Sequence, residues 1–306
     1  MLGLVLGMSQ AFKPKLYLKP DSVEKASNLL KEHGERARVI AGGTGIYEVA
    51  HRGLLSDVDA LIDISGLNLS YIRTEQGALR IGACTTMTSM TNSKELHSRK
   101  ELAIILDALQ AIQPLQVKNV ATIAGAICTA LPFFDLPVAL MAADASVLVA
   151  PTGRRVKVSD FIQGYFAVDL NPGEFLRDVE IPIADKELAG SAFQKFSITG
   201  DDWALVNCGV SLTVKSSGEI AKVSVAYGGG VGERPKRITK VENLLIGARV
   251  DDEATIRSIF DGNVASEVEM ISDIRASSDY RIRLAKVLGR RAVLEAGKRA
   301  LHSGGH

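Results

Sequence analysis

Three glycines within four residues, Gly42, Gly43 and Gly45, follow directly on the strand-like run Arg38-Val39-Ile40-Ala41. Glycine there removes the Cβ that blocks close approach and permits positive φ, so backbone N–H groups can converge on an anion. The order excludes two common phosphate loops. As a dinucleotide fingerprint it fails, because Glu48 stands where the third glycine belongs after Gly43-x-Gly45. As a P-loop it fails too, since no Gly-Lys-Ser/Thr follows. A tight strand-to-helix turn and an anion cradle of another kind both remain open. A second stretch, Val120-Ala121-Thr122-Ile123-Ala124-Gly125-Ala126-Ile127-Cys128-Thr129, lies some eighty residues on. Its small side chains admit a ligand, Thr122 and Thr129 can donate hydrogen bonds, and Asp135 could accept from a ribose hydroxyl. The plain alternative is a packed turn between helix and strand. Paired, the two stretches suggest a diphosphate gripped from two sides without a Rossmann fold.

Around these loops the pattern alternates. Asp21, with Glu24 three residues later, reads as a capping box for a helix through Val23, Ala26, Leu29 and Leu30, stopped at Gly34. Arg38–Ala41 and Ala60–Ile64 read as short buried strands, giving a helix–strand–loop–strand unit over about the first 65 residues. Tyr71–Thr74 and Leu79–Gly82 form a hairpin about Gln76-Gly77, and 99–113 has helical spacing. Ala145–Val149 and Val156–Val158 make a second hairpin, and Asp178–Ile183 closes the region as a strand. Three strands follow, Ala192–Ile198, Leu205–Val214 and Ile220–Tyr227, and then helical patterns including 280–300. Strands followed by helices mark an α+β unit.

The 306 residues suggest about two domains at roughly 150 residues each. We place the boundary at 186/187: an amino-terminal domain of 8–186, with parts of about 8–65 and 66–186, and a carboxyl-terminal domain of 187–306. Lys plus Arg (36) balance Asp plus Glu (35), which leaves no general pull toward nucleic acid or anionic lipid. The basic run from Arg281 to Arg299 therefore reads as a solvated helix face or a subunit contact. Cys84, Cys128 and Cys208 are too scattered for a disulfide framework, a zinc site or an iron–sulfur cluster, so no metal site is expected and a cytoplasmic location is. The apolar start is too short to span a bilayer, Met8 is a plausible first residue, and Ser303–His306 reads as a tail.

Five stretches in order give the chain a family resemblance. They are Ala41-Gly42-Gly43-Thr44-Gly45; Leu61–Ile64 with Arg80–Ala83; Gln116–Asn119 through Thr122–Gly125 to Asp135-Leu136-Pro137; Lys195 through Gly200–Ala204; and Ser272–Arg275 with Ser278–Arg281. From about residue 11 to 295 the chain resembles the medium, FAD-binding subunit of the molybdenum hydroxylases, the carbon monoxide dehydrogenase, xanthine dehydrogenase and aldehyde oxidoreductase group. The resemblance implies an α+β chain: a two-subdomain FAD-binding fold of the vanillyl-alcohol-oxidase/PCMH-like kind, then a smaller α+β domain with a three-stranded antiparallel sheet and helices. It implies that Ala41, Gly42, Gly43, Thr44, Gly45, Ile46 and Tyr47 clasp the pyrophosphate together with Ala121, Thr122, Ala124, Gly125 and Ala126. Thr129, Asp135 and Leu136 would be further flavin contacts. Leu176 resembles the aliphatic residue packed on the isoalloxazine, Lys195 the lysine near that ring, and Trp203 lies in the turn flanking its exposed face. The chain departs from the common Thr-Ile-Gly-Gly-Asn at Ala124 and Ala126, which removes an asparagine amide.

By the same resemblance the chain is an oxidoreductase subunit with no catalytic residue of its own. Substrate would be oxidised at a molybdenum cofactor in a large partner subunit. Electrons would pass through [2Fe-2S] clusters of a small partner subunit to FAD here, and on to an external acceptor. The three scattered cysteines agree, because a cluster needs four ligands. Two alternatives stay open: a stand-alone flavin oxidase of the vanillyl-alcohol oxidase type, and a non-enzymatic assembly subunit that has lost FAD. Without the resemblance, Lys195 reads as a solvated strand lysine and Trp203 as a core or interface aromatic.

Overall fold

A computed structural model describes residues 12–183 and 188–301. The 186/187 junction, Met8 and the tail Ser303–His306 lie outside the described residues. Ser22, not Asp21, caps the first helix: its hydroxyl accepts from the Lys25 N–H, while the Asp21 carboxylate takes Lys25 Nζ at 3.2 Å. The N-cap is thus displaced by one residue, and with Lys25 three residues after Ser22 no capping box forms. β1 (Leu16–Leu18), α1 (Val23–His33), β2 (Ala37–Ile40), α2 (Thr44–His51) and β3 (Ala60–Asp63) build a parallel sheet in the order β1-β3-β2. β3 is central and buried throughout. β2 is an edge with Arg38 exposed, so this run is less buried than its apolar content suggests.

The second lobe opens with β4 (Ile72–Glu75) and β5 (Ala78–Gly82), joined through Gln76 and Gly77 at φ 50 and 74. Both left-handed positions suit a twisted two-residue hairpin. Then come α3 (Met87–Thr91), α4 (Lys94–His97), α5 (Ala103–Ala111), α6 (Leu115–Val120), α7 (Ile123–Cys128) and α8 (Asp135–Ala142). The expected helix over 99–113 is shorter, because a 3-10 turn at Lys100–Leu102 precedes α5. The second small-residue stretch is helical rather than a turn, since Thr122 accepts from the Gly125 N–H and starts α7. β6 (Ser146–Ala150), β7 (Arg155–Lys157), α9 (Val158–Phe161), β8 (Ile162–Gly164), β9 (Ala167–Val168) and β10 (Phe175–Pro182) complete the lobe. Its sheet runs β4-β5-β10-β6-β7, antiparallel throughout.

The carboxyl-terminal region has the three expected antiparallel strands, β11 (Ala189–Phe196), β12 (Val206–Val214) and β13 (Ile220–Gly229). A two-residue β14 (Lys236–Arg237) adds a fourth, before α10 (Thr239–Leu245), α11 (Glu253–Glu267) and α12 (Ser278–Leu301). α12 covers one face of the sheet. The other face meets α5 and α8: a Cβ on Gly209 of β12 would stand 3.0 Å from both Ile104 Cδ1 and Ala142 Cβ. Asp107 ties this seam by accepting from the Phe193 N–H and from Arg299 Nη1 at 2.6 Å. Among the described residues no helix is long and apolar enough to cross a membrane.

Candidate functional site

The glycines of the first loop let two backbones touch. A Cβ on Gly42 would fall 1.7 Å from the Val120 carbonyl oxygen, and one on Gly45 would fall 2.2 Å from Thr129 Oγ1. Gly43 acts through its conformation instead. At φ 79 it turns the chain from β2 into α2 as an N-cap without a side-chain hydrogen bond. The first turn of α2 holds no acidic residue, and its earliest returning N–H is Tyr47 to the Gly43 carbonyl at 3.0 Å. The N–H groups of Thr44, Gly45 and Ile46 thus have no acceptor within the helix and present the positive end of its dipole. Such an end binds anions.

The second stretch does something else. Ile123 N–H donates to the Thr85 carbonyl, Ala124 N–H to Ala83, Ala126 N–H to Thr122, and Gly125 N–H to Thr122 Oγ1. Thr129 donates its hydroxyl to the Gly125 carbonyl at 2.6 Å. The backbone N–H groups of Ile123 to Ala126 and the Thr129 hydroxyl are therefore engaged inside the protein, and the Thr122 oxygen serves as an acceptor. In this structure the free donors face from α2, and the second stretch forms the wall opposite.

Between them lies a cleft of about 330 Å³. Thr44 and Tyr47 line it from the first loop, Ala121, Gly125, Ala126 and Thr129 from the second, with Asp135 and Leu136 from α8. Lys195 and Trp203 reach it from the carboxyl-terminal region. Ala41, Gly42, Gly43, Gly45, Ile46, Thr122 and Ala124 belong to the same two segments without lining the cleft. Leu176 is not brought there: it is 2 % exposed on β10, opposite Val149, inside the core of the five-stranded sheet. Met87, Ile112, Pro114, Phe133 and Phe134 supply apolar wall that sequence reading missed. Only the Phe133-Phe134 pair, next to Asp135, left a local signal.

Lys195 is not solvated. Its side chain is 11 % exposed, and Nζ donates to Asp135 Oδ2 at 2.8 Å and to the Ala111 carbonyl at 3.2 Å. The other Asp135 oxygen accepts from Asn207 Nδ2 at 2.7 Å. Both oxygens that a ribose hydroxyl would address already have partners, and Asn207 is a site residue that sequence reading did not find. Burial pushes the Asp135 carboxyl above its ordinary range, while the Lys195 charge and the hydrogen bonds from Lys195 and Asn207 act against that. The result is an internal ion pair at the wall of an apolar cleft.

Aromatic rings close one side. Trp203 stacks on Phe133, with centroids 5.8 Å apart and planes at 9°, and meets Phe134 edge-on. Arg52 lies over the Trp203 ring at 5.2 Å and Arg275 over Phe133 at 4.8 Å. Trp203 is thus neither a buried core ring nor an isolated one: it is half-buried in a cation-covered stack. Arg275 in turn holds Asp273, which also pairs with the fully buried Arg281 at 2.7 Å. These contacts keep the carboxyl-terminal signature against the mouth of the cleft.

Residues 10–184 match the FAD binding domain in molybdopterin dehydrogenase, and residues 191–296 match the CO dehydrogenase flavoprotein C-terminal domain. The chain is 32 % identical to the glyceraldehyde dehydrogenase medium chain of Sulfolobus acidocaldarius, over 91 % of this chain and 97 % of that one. It is 29 % identical to the carbon monoxide dehydrogenase medium chain of Afipia carboxidovorans, over 93 % and 97 % respectively. Its fold superposes on reconstituted CO dehydrogenase from Oligotropha carboxidovorans with a TM-score of 0.87 at 27 % identity, covering 94 % of this chain and 99 % of that one. The chain therefore belongs to the FAD-binding medium-subunit family of the molybdenum hydroxylases, and is an FAD-dependent oxidoreductase subunit.

Proposed function

We propose that this chain carries electrons from the [2Fe-2S] clusters of a small partner subunit through FAD to an external acceptor, within a heteromeric hydroxylase whose molybdenum-cofactor large subunit oxidises the substrate. One observation carries the reading: two segments some eighty residues apart, with Lys195 and Trp203 from beyond residue 190, converge on one apolar cleft with a donor-rich end. The residues present fit FAD. The α2 N-terminus suits a diphosphate, and the walls from Ile112, Val117, Leu136 and Phe134 suit an aromatic ring system. Bound FAD supplies the hydride and single-electron chemistry.

The chain's own residues do the rest. Thr44 presents its backbone N–H to the pyrophosphate at the cleft, the free N–H groups of Gly45 and Ile46 behind it add to the positive helix end, and Ala121, Gly125, Ala126 and Thr129 hold the opposite side. Lys195, fixed by Asp135, orients a positive N–H toward the ring. The Trp203–Phe133 stack excludes water from it. The described cysteines are free and scattered, so the clusters come from the partner. A cytoplasmic location follows from the same reading.

The test is reconstitution of the purified chain with FAD, followed by an absorption spectrum and native pull-down with metal analysis. Flavin bands, with molybdenum and iron in the captured complex, support the proposal. Absence of flavin bands after reconstitution overturns it.

A further inference from the structure

A second cleft lies where the two domains meet. β12 and β13 pair with Ser211 opposite Ser224 and Thr213 opposite Lys222. Direct cross-strand partners share a face about 5 Å apart, as do residues two apart on one strand at about 6.6 Å. The four side chains therefore form a square on one face of the sheet. That face turns toward α5 and α8, as Gly209 on the same side of β12 shows. Over the square is a cleft of about 250 Å³, bounded by the ends of α8 and β10 at Ala143 and Pro182. It shares no lining residue with the flavin cleft.

The square has unused hydrogen-bonding capacity. Ser211 Oγ, Thr213 Oγ1 and Ser224 Oγ are buried without a partner, and Ser224 is only 9 % exposed. Ser191, opposite Ser211 on β11, is by contrast fully engaged: it accepts from the Ile104 N–H and donates to the Lys100 carbonyl. Native proteins leave only a few buried polar atoms unpaired per hundred residues, and here three of them adjoin one another.

Charge is left over in the same place. Glu101 at the rim pairs with Arg99 at 3.4 Å, and Asp144 with Lys157 at 2.9 Å. Arg237 pairs with Glu242 at 2.8 Å. Among the described residues no ion pair involves Lys222, whose side chain belongs to the exposed edge of the square. Three hydroxyl donors beside one uncompensated ammonium, with the neighbouring carboxylates already paired, select a negative oxygen-bearing ligand.

We propose that this interdomain cleft binds a small oxyanion, a carboxylate or a phosphate group, with Lys222 supplying the counter-charge and Ser211, Thr213 and Ser224 the hydrogen bonds. The site does not depend on the flavin reading. The experiment uses the full chain reconstituted with FAD, so that the anion-binding end of α2 is filled. Inorganic phosphate and sodium acetate are titrated separately by calorimetry, against chloride at matched ionic strength.

Saturable binding is expected, weakened at least tenfold in Lys222→Met and at least threefold in Ser211→Ala or Ser224→Ala, with an unchanged flavin spectrum. Saturation by phosphate alone assigns a phosphate ligand; saturation by acetate alone assigns a carboxylate. Lys222 is exposed, so its variant keeps the fold, which circular dichroism checks. No saturable binding of either anion overturns the proposal. So does binding that Lys222→Met and Ser224→Ala leave unchanged.

Discussion

Replacing Gly42 by alanine tests whether the glycines of the first loop serve the ligand or the protein. The new Cβ would stand 1.7 Å from the Val120 oxygen and 2.6 Å from its carbonyl carbon. Ordinary contact lies near 3.5 Å, so the two backbones must part by roughly 1.5–2 Å. Neither side can turn away, because both atoms met are backbone, and Ala121 beyond Val120 is tied to the Met87 N–H at 2.9 Å. The cost belongs at the upper end of overpacking, about 3 kcal/mol. For a domain of this size that lowers the melting temperature of the FAD-free protein by roughly 6–12 °C. Gly43→Ala is the control. Its Cβ would meet only Ile40 Cδ1 at 3.6 Å, and its penalty is the φ of 79, about 1 kcal/mol. Calorimetry of both FAD-free variants and flavin fluorescence titration of both give the answer. Gly42→Ala should lose more stability and at least tenfold in FAD affinity, since donor end and wall move apart together. A Gly42→Ala protein that melts like wild type yet fails to bind FAD would refute the packing argument.

Three further outcomes follow from the same geometry. Glu174 accepts from Arg154, Thr152 and the Asn171 N–H, which hold its carboxyl down at about 2 against an ordinary 4.5 despite burial. A depressed folded pKa stabilises above the ordinary value, so this group contributes about 2–3 kcal/mol near neutrality, lost as pH falls from about 4.5 through 2; urea midpoints at pH 7 and pH 3 should converge in Glu174→Gln. Ala126→Asn should place an amide at the cleft wall and tighten FAD binding by up to about tenfold, the effect of one added hydrogen bond, measured by fluorescence titration. Lys195→Met leaves Asp135 buried without its cation and should cost about 3–5 kcal/mol in urea unfolding, most of it recovered in Lys195→Met with Asp135→Asn.

Local chemistry is what the sequence displays well. The hairpin at Gln76-Gly77, the strand end at Gly43 and the three strands after residue 188 each follow from residues adjacent in the chain. Thr122 misleads for the same reason. Its hydroxyl reads as a ligand donor among small residues, whereas its oxygen caps α7 by accepting from the backbone N–H three residues on, at Gly125. Long-range partners were not legible. Lys195 meets Asp135 across 60 positions, and Asn207 meets it across 72. No periodicity encodes those meetings, because they depend on how the carboxyl-terminal sheet seats against α5 and α8. Gly42 shows the limit in both directions: its presence marks a crowded backbone, but the crowding atom is a carbonyl of residue 120.

The ion pair changes what the lysine can do. An isolated cation at Lys195 would stabilise negative charge on a neighbouring ring through the full monopole. Asp135 at 2.8 Å, itself only 5 % exposed, cancels most of that field beyond a few ångströms and leaves an oriented dipole. The Ala111 carbonyl takes a second ammonium proton, so the third N–H is the one left to point elsewhere. Positional control therefore exceeds charge: the pair fixes where a single donor stands, and Asn207 fixes the carboxylate that fixes it. The uncompensated positive element of the cleft is then the N-terminus of α2, which has neither an acidic first turn nor a capping side chain. In the proposed binding mode, attraction for an anionic cofactor would reside at the α2 end, and geometry for the ring at Lys195. That separation explains why removing the lysine should damage stability and ring placement before it damages affinity.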